Sequence, residues 1–213
     1  MRHLLDPENK VFAGIGVVGD HLLLGLLWVF CSIPVVTAGA AAAAVYSVSW
    51  RILAGERGRL GRDFFGAFRE RFREKTLLWL PDLGVGLVLV FDLSFFFGLA
   101  ADDVAWAGVA LGGVVTLSLL FLACLLWQFP YIARYRSKIF PAIKFSLVLG
   151  VVNLGRTAGM LAAMAVLAVL VVYFPWLLPF VPGISFLVNS ALCAKAFEKL
   201  ESNKKADRVE RAQ

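Results

Sequence analysis

Long uncharged stretches alternate with short basic segments along most of the chain. Residues 22–50 and 157–194 contain no Asp, Glu, Lys or Arg. A transmembrane helix needs about 20 predominantly apolar residues, so these stretches exclude a water-soluble globular protein. The pattern predicts an all-α fold, a polytopic membrane helix bundle of about six spans, at residues 16–34, 35–53, 77–99, 104–129, 157–174 and 184–197.

The first uncharged stretch allows two interpretations. Pro34 removes a helical hydrogen bond and Gly39 relaxes the backbone, which predicts two spans joined near these residues. The stretch is too long for one straight span and slightly short for two. The alternative for residues 16–53 is therefore a re-entrant pair or one long kinked helix.

The distribution of positive charge predicts an orientation. With six spans, all 21 Lys and Arg residues fall on one side, whereas the 99–104 turn on the opposite side carries Asp102 and Asp103. Lys and Arg concentrate in cytoplasmic loops, so we expect a plasma-membrane protein with both termini in the cytoplasm. The chain then divides into one integral membrane domain, residues 1–200, and a polar cytoplasmic tail, residues 201–213.

The basic segment at residues 60–75 has the periodicity of an amphipathic helix. Its apolar and basic positions occupy opposite faces: Leu60, Phe64, Phe65, Phe68 and Phe72 against Arg62, Arg69 and Arg73. Such a helix is typical of the lipid headgroup layer, where it contacts anionic lipid or a partner protein. The alternative is that the arginines only enforce topology. Because membrane orientation accounts for the positive charge, we expect no nucleic-acid partner.

Six polar residues at or within the spans are candidates for a pathway through the bundle: Asp20, His21, Asp82, Asp92, Asn153 and Asn189. Ionisable groups at membrane depth are costly and are often functional. Asp82 is close to the basic side, where Arg73 or Lys75 could neutralise it. Asp92 is deeper and has no basic residue near it in the sequence.

Two pairs of glycines four residues apart predict close helix packing, because small residues let helix backbones approach. They are Gly108 with Gly112, and Gly155 with Gly159. Packing within the bundle is one interpretation, and self-association into a homo-oligomer is the other.

The sequence predicts no reaction. Gly14, Gly16 and Gly19 match a dinucleotide-binding spacing, yet they open a membrane helix instead of following a strand, so we expect no cofactor. The three cysteines lie singly in different spans, and the only histidines are His3 and His21. We therefore expect no metal site, no catalytic residue and no enzymatic activity.

One motif carries a resemblance. The run Ser32-Ile33-Pro34-Val35-Val36-Thr37-Ala38-Gly39 is followed by Asp63-Phe64-Phe65-Gly66 and by Gln128-Phe129-Pro130-Tyr131. Over residues 5–198 the chain resembles the YesL family, small bacterial integral membrane proteins whose domain is of unknown function. The resemblance implies a multi-pass protein of the bacterial plasma membrane and supplies no catalytic residues.

The resemblance also implies a context. Family members are often encoded beside carbohydrate-uptake ABC transporters, which implies an accessory or scaffold component associated with ABC transporter subunits. The alternative function is a self-standing transporter or channel for a small solute, with Asp92 lining its path. An autonomous carrier needs several polar residues facing one another at mid-depth.

Overall fold

The computed structural model describes residues 10–56, 58–102, 104–135 and 139–210. Within these ranges the chain is helical, with no strand, and the predicted all-α bundle is confirmed. The helices are α1 (Lys10–Cys31), α2 (Ala38–Leu53), α3 (Leu60–Arg69), α4 (Phe72–Ala101), α5 (Ala107–Tyr135), α6 (Ile139–Val152), α7 (Leu154–Tyr173) and α8 (Val181–Glu210). Short 3₁₀ turns at Val35–Thr37 and Pro175–Leu177 precede α2 and α8.

Five stretches are long and apolar enough to cross a membrane: Gly14–Cys31, Val35–Leu53, Phe72–Ala101, Ala107–Tyr135 and Leu154–Tyr173. They overlap the first five predicted spans, so the chain is a multi-pass membrane protein. The sixth predicted span, at 184–197, lies in α8, which does not meet the same criterion. Polar residues such as Asn189, Ser190 and Lys195 lower its hydropathy, and α8 continues through Glu210, past the predicted boundary at residue 200.

Helices α4 and α5 form an antiparallel hairpin along their whole length. Four pairs of contacts mark its register: Trp79 with Phe129, Asp82 with Gln128, Gly86 with Phe121, and Phe96 with Trp106. As the residue number increases along α4, the number of the contacting residue decreases toward the start of α5, as expected of antiparallel helices. The hairpin turn at residues 102–106 is therefore distant from the end that carries α3.

Helix α2 forms the centre of the bundle. The side chains from Ala40 to Tyr46 are buried, and α1, α3, α4, α5 and α8 all pack against this helix. The first uncharged stretch thus forms two helices separated at residues 32–37, which excludes one long kinked helix. Small alanine side chains allow the neighbouring helices to approach α2 closely.

The amphipathic helix exists, but it is shorter than predicted. It ends at Arg69, and Arg71 adopts a left-handed φ of 53° before α4 begins at Phe72. The Lys75 ammonium donates a hydrogen bond to the Ala67 carbonyl at 2.7 Å, which places a positive charge at the negative end of the α3 dipole. Phe64 is fully buried in the cluster around α2. This corrects the expectation that the apolar face as a whole contacts lipid.

Helix α6 was missed by the sequence analysis, which treats residues 130–156 as a basic cytoplasmic segment. The helix packs beside α5, with the Tyr131 and Phe145 rings 5.6 Å apart and Gly150 against Ala123 and Trp127. Its residues are apolar except for Ser146 and the exposed Lys144. The segment contains four basic residues, at positions 134, 136, 138 and 156, besides Lys144, and these indicated a loop. The apolar helix within it is itself too short for a span.

Candidate functional site

The turn between α1 and α2 is held by side-chain hydrogen bonds. Thr37 Oγ1 lies within hydrogen-bond distance of the carbonyl oxygens of Cys31 and Pro34, the latter at 2.7 Å. Trp79 Nε1 donates to the Val35 carbonyl at 2.8 Å, and Trp28 Nε1 donates to the Ala38 carbonyl at 3.3 Å. The Cys31 carbonyl is at the C-terminal end of α1, where a helix leaves carbonyl groups without an intrahelical partner; the two tryptophan bonds tie the turn to α1 and α4.

Gly39 allows this turn to approach the α4–α5 hairpin. A Cβ atom built there would collide with the Trp79 side chain and would lie 3.1 Å from Phe129 Cε1. At about 1.5 Å per residue, Trp79 lies about 10 Å from the start of α4 and about 33 Å from its end. The turn therefore sits close to the α3 end of the hairpin, well short of residues 102–106.

A cavity of about 370 Å³ opens beside this turn, and we call it the central cavity. It lies between α2, α5 and α8, and three further helices contribute one residue each: Trp28 of α1, Trp79 of α4 and Met164 of α7. The large or polar side chains of its lining include Trp28, Tyr46, Trp79, Met164, Phe186 and Asn189. None of its lining residues is acidic or basic, so the cavity is chiefly apolar and aromatic.

The polar part of the central cavity comes from α2 and α8. The Asn189 side chain is hydrogen-bonded to the Tyr46 hydroxyl, and both residues are buried. The Phe186 ring packs edge-on against Tyr46 at 5.2 Å and against Trp28 at 5.6 Å. Ser185 adds a half-buried hydroxyl. Asn189 was a predicted candidate, whereas Tyr46 and Ser185 were not, because their place in the lining depends on the contact between α2 and α8.

The two aspartates of α4 have different environments. Gln128 Nε2 donates to Asp82 Oδ2 at 2.7 Å, and the buried Gln128 also lies 3.7 Å from Cys124 Sγ. This bond, to an amide from α5, replaces the expected neutralisation by Arg73 or Lys75. Asp92 is half-buried and makes no hydrogen bond or ion pair with the part of the chain that the structure describes.

The other predicted polar residues lie elsewhere in the bundle. His21 is fully buried on α1, where Nδ1 is 2.8 Å from the Val17 carbonyl and Nε2 has no partner among the described residues. Asp20 is half-buried beside it. Asn153 separates α6 from α7 and accepts a 3.1 Å bond from Arg156. Apart from the sequence neighbours Asp20 and His21, the six candidates are not brought together.

The backbones of α1 and α8 approach each other closely at two glycines that belong to neither of the predicted glycine pairs. A Cβ atom at Gly25 would collide with the Gly183 backbone, and one at Gly183 would collide with the backbone of His21 and Leu22. In contrast, a Cβ at Gly108, Gly112 or Gly155 would meet nothing within 4 Å in the described structure, and one at Gly159 would only touch Leu192. This corrects the expectation of close packing within the bundle at those positions.

The basic end of the bundle carries a second cavity, of about 460 Å³, between α2, α3 and α5. Arg51 lines it and pairs with Asp63 and Glu56, each at 3.3 Å. Arg134 lies over the rings of Trp50 and Phe197, at 5.4 and 5.6 Å. The predicted surface arginines Arg62, Arg69 and Arg73 are exposed.

Among the described residues, no three His, Cys, Asp or Glu side chains converge in a way that could hold a metal ion. A family model described as a protein of unknown function, DUF624, matches residues 22–93. The match covers α1 from Leu22 onward, the turn, α2, α3 and most of α4, including Trp28, Gly39, Tyr46 and Trp79. No curated protein and no solved structure matches the chain.

Proposed function

We propose that this multi-pass membrane protein is an accessory or scaffold component of a bacterial carbohydrate ABC transporter. The observation that carries the proposal is the uncovered half of the α4–α5 hairpin. Beyond Leu78 no side chain of α4 is buried, and between Gly108 and Leu125 only Val114 of α5 is buried. This apolar surface is available to helices of another membrane protein.

Glycines on the same hairpin support the packing of helices from another membrane protein against it. Gly84, Gly98, Gly108, Gly112 and Gly113 have open space where a Cβ would lie. Helices in lipid associate through close backbone approach, because lipid and apolar side chains are equally hydrophobic. A neighbouring helix can therefore pack against α4 and α5 at positions that this chain leaves empty.

The carbohydrate context rests on the YesL resemblance, and the orientation rests on charge. We place Arg62, Arg69, Arg73 and both termini in the cytoplasm of a bacterium, with the protein in the plasma membrane, because positive charge is retained on that side. In this orientation the basic end with its 460 Å³ cavity faces the compartment in which ABC transporters hydrolyse ATP.

A small-solute transporter or channel is the second candidate, and the central cavity favours it. A carrier needs facing polar groups along a path. Here the polar candidates are dispersed: Asp82 is engaged by Gln128, and Asp92 has no polar partner in the described structure. The accessory role therefore has the stronger support.

The test is purification of the full chain from its native membrane in mild detergent, followed by identification of bound proteins. We expect ABC permease subunits with the unaltered chain and with the control Val109→Leu, whose side chain is 82% exposed on α5. The pair Gly108→Leu and Gly112→Leu should abolish recovery. Solute uptake into liposomes by the purified protein alone, lost in Asp92→Asn, would replace the accessory role by the carrier.

A further inference from the structure

We propose that the central cavity is a binding site for one acyl chain of a membrane lipid. Its volume of about 370 Å³ lies within the range of about 300–1,000 Å³ that is typical of small-molecule sites. The inference concerns a site of this chain itself and does not depend on the partner proposed above. Three features identify the ligand class: the lining, the position of the opening, and the pairing of the polar groups.

The lining suits a hydrocarbon chain. Phe186 and Phe129 are nearly fully buried around the cavity, and Leu126 lies beside them. An acyl chain that passes from the bilayer into this cavity stays in apolar surroundings and loses no hydrogen bond. A sugar or an ion would lose its hydration there and gain few hydrogen bonds in return.

The opening faces the hydrocarbon region of a bilayer. Leu122 and Met164 line the cavity and are also 38% and 40% exposed, which places them at its opening. Leu122 lies near the middle of α5 and Met164 near the middle of α7, and both helices are candidate spans. The neighbouring molecules at that depth are lipid chains, so a lipid enters sideways between these two helices.

Two of the polar side chains in the cavity wall are hydrogen-bonded to each other. Asn189 and Tyr46 form a hydrogen bond with each other, and Ser185 is partly exposed in the cavity wall. A carbohydrate site keeps several unpaired donors and acceptors aimed at its ligand. The bond between Asn189 and Tyr46 leaves fewer free donors and acceptors in the lining, and an apolar chain can lie beside the pair without breaking this bond.

The experiment uses the full chain in nanodiscs that contain a phospholipid with a photoreactive diazirine on its acyl chain. After illumination, mass spectrometry of peptides locates the labelled residues. We expect labelling at Leu126, Phe129 or Phe186, which are shielded from the bulk bilayer. Labelling around Val172, which is 76% exposed on α7, reports ordinary lipid contact and serves as an internal reference.

Two variants obstruct the cavity in different ways. Ser185→Phe fills it from α8, and Met164→Trp narrows its opening from α7. Each should reduce cavity labelling several-fold relative to the Val172 reference. The control Val166→Trp places an indole on the exposed face of α7, where Val166 is 59% exposed and outside the cavity lining, and it should leave cavity labelling unchanged. If one obstructing variant does not fold, the other still tests the site.

The proposal is overturned if the cavity residues stay unlabelled while the Val172 region is labelled. It is also overturned if both obstructing variants leave cavity labelling unchanged. A third contrary result would be rapid reaction of Ala42→Cys, on a background without the native cysteines, with a small water-soluble thiol reagent. That reaction would show an aqueous cavity suited to a polar solute.

Discussion

The two ends of the α4–α5 hairpin both carry many large apolar side chains but have opposite environments. Near α3, Leu78 and residues 126–130 are buried against α2 and its neighbours. Toward the 102–106 turn the same helices expose Phe91, Phe97, Val109 and Leu117 by more than half. Apolar side chains are equally stable against protein and against lipid. Hydrophobicity alone therefore does not explain why one end is buried and the other is exposed. The steric fit between neighbouring helix backbones explains it.

Glycine substitutions at a close helix contact and at the open end of the hairpin should give the largest difference in the free energy of unfolding. Gly183→Leu places a side chain against the backbone of α1, which cannot move aside without displacing the helix, and we expect a loss of about 3 kcal/mol, the upper end of the usual cost of overpacking. Gly108→Leu is the matched control on the open hairpin and should change stability by less than about 0.5 kcal/mol. Denaturant titration of the purified full chain measures both. Equal losses would mean that the hairpin is packed within the monomer.

Replacement of the aspartates of α4 should have an intermediate effect on the free energy of unfolding. Asp82→Leu leaves the buried Gln128 amide without its partner, which costs about 1–3 kcal/mol. Asp92→Leu removes a carboxylate with no partner in the described structure, and because a lone carboxylate is unfavourable in hydrocarbon, we expect no loss of stability.

A double-mutant cycle sharpens this prediction. Asp82→Leu combined with Gln128→Leu removes both polar partners and should recover most of the loss. Strict additivity of the two single changes would show that the 2.7 Å contact does not contribute to stability.

The surface arginines should have the smallest effect on folding. Replacing Arg62, Arg69 and Arg73 by Gln should change the unfolding free energy by no more than about 0.5 kcal/mol for each residue, because all three are exposed. Each basic residue near anionic lipid contributes about 1 kcal/mol to membrane attraction. The changes should therefore affect orientation and lipid contact instead of folding.

Orientation is measured on a background without the native cysteines. Asp102→Cys should react with an impermeant thiol reagent from outside the cell, and Arg59→Cys should not. In the three-Gln variant a fraction of molecules should lose the Asp102 label, whereas the Arg→Lys control should keep it. Labelling of Arg59→Cys from outside in the unaltered background would contradict the orientation itself.

The candidate site illustrates what a single sequence conveys. Asn189 could be selected because an amide stands out in an apolar stretch. Tyr46, Ser185 and Phe186 could not, since their role depends on α2 and α8 meeting more than 130 residues apart in the chain. Likewise Gly25 and Gly183 belong to no short motif, and their importance appears only where α1 and α8 cross.

The sequence by itself determined the helical class, the membrane location and the positions of five long apolar segments, because these follow from local hydropathy over about 20 residues. It also predicted an amphipathic α3, because that pattern repeats within a few turns. Only the tertiary structure decided that Phe64 packs on α2, that Asp82 bonds to Gln128, and that a cavity lies beside Gly39. Those outcomes depend on which helices meet and how closely, and in an apolar environment that choice rests on steric fit between distant segments.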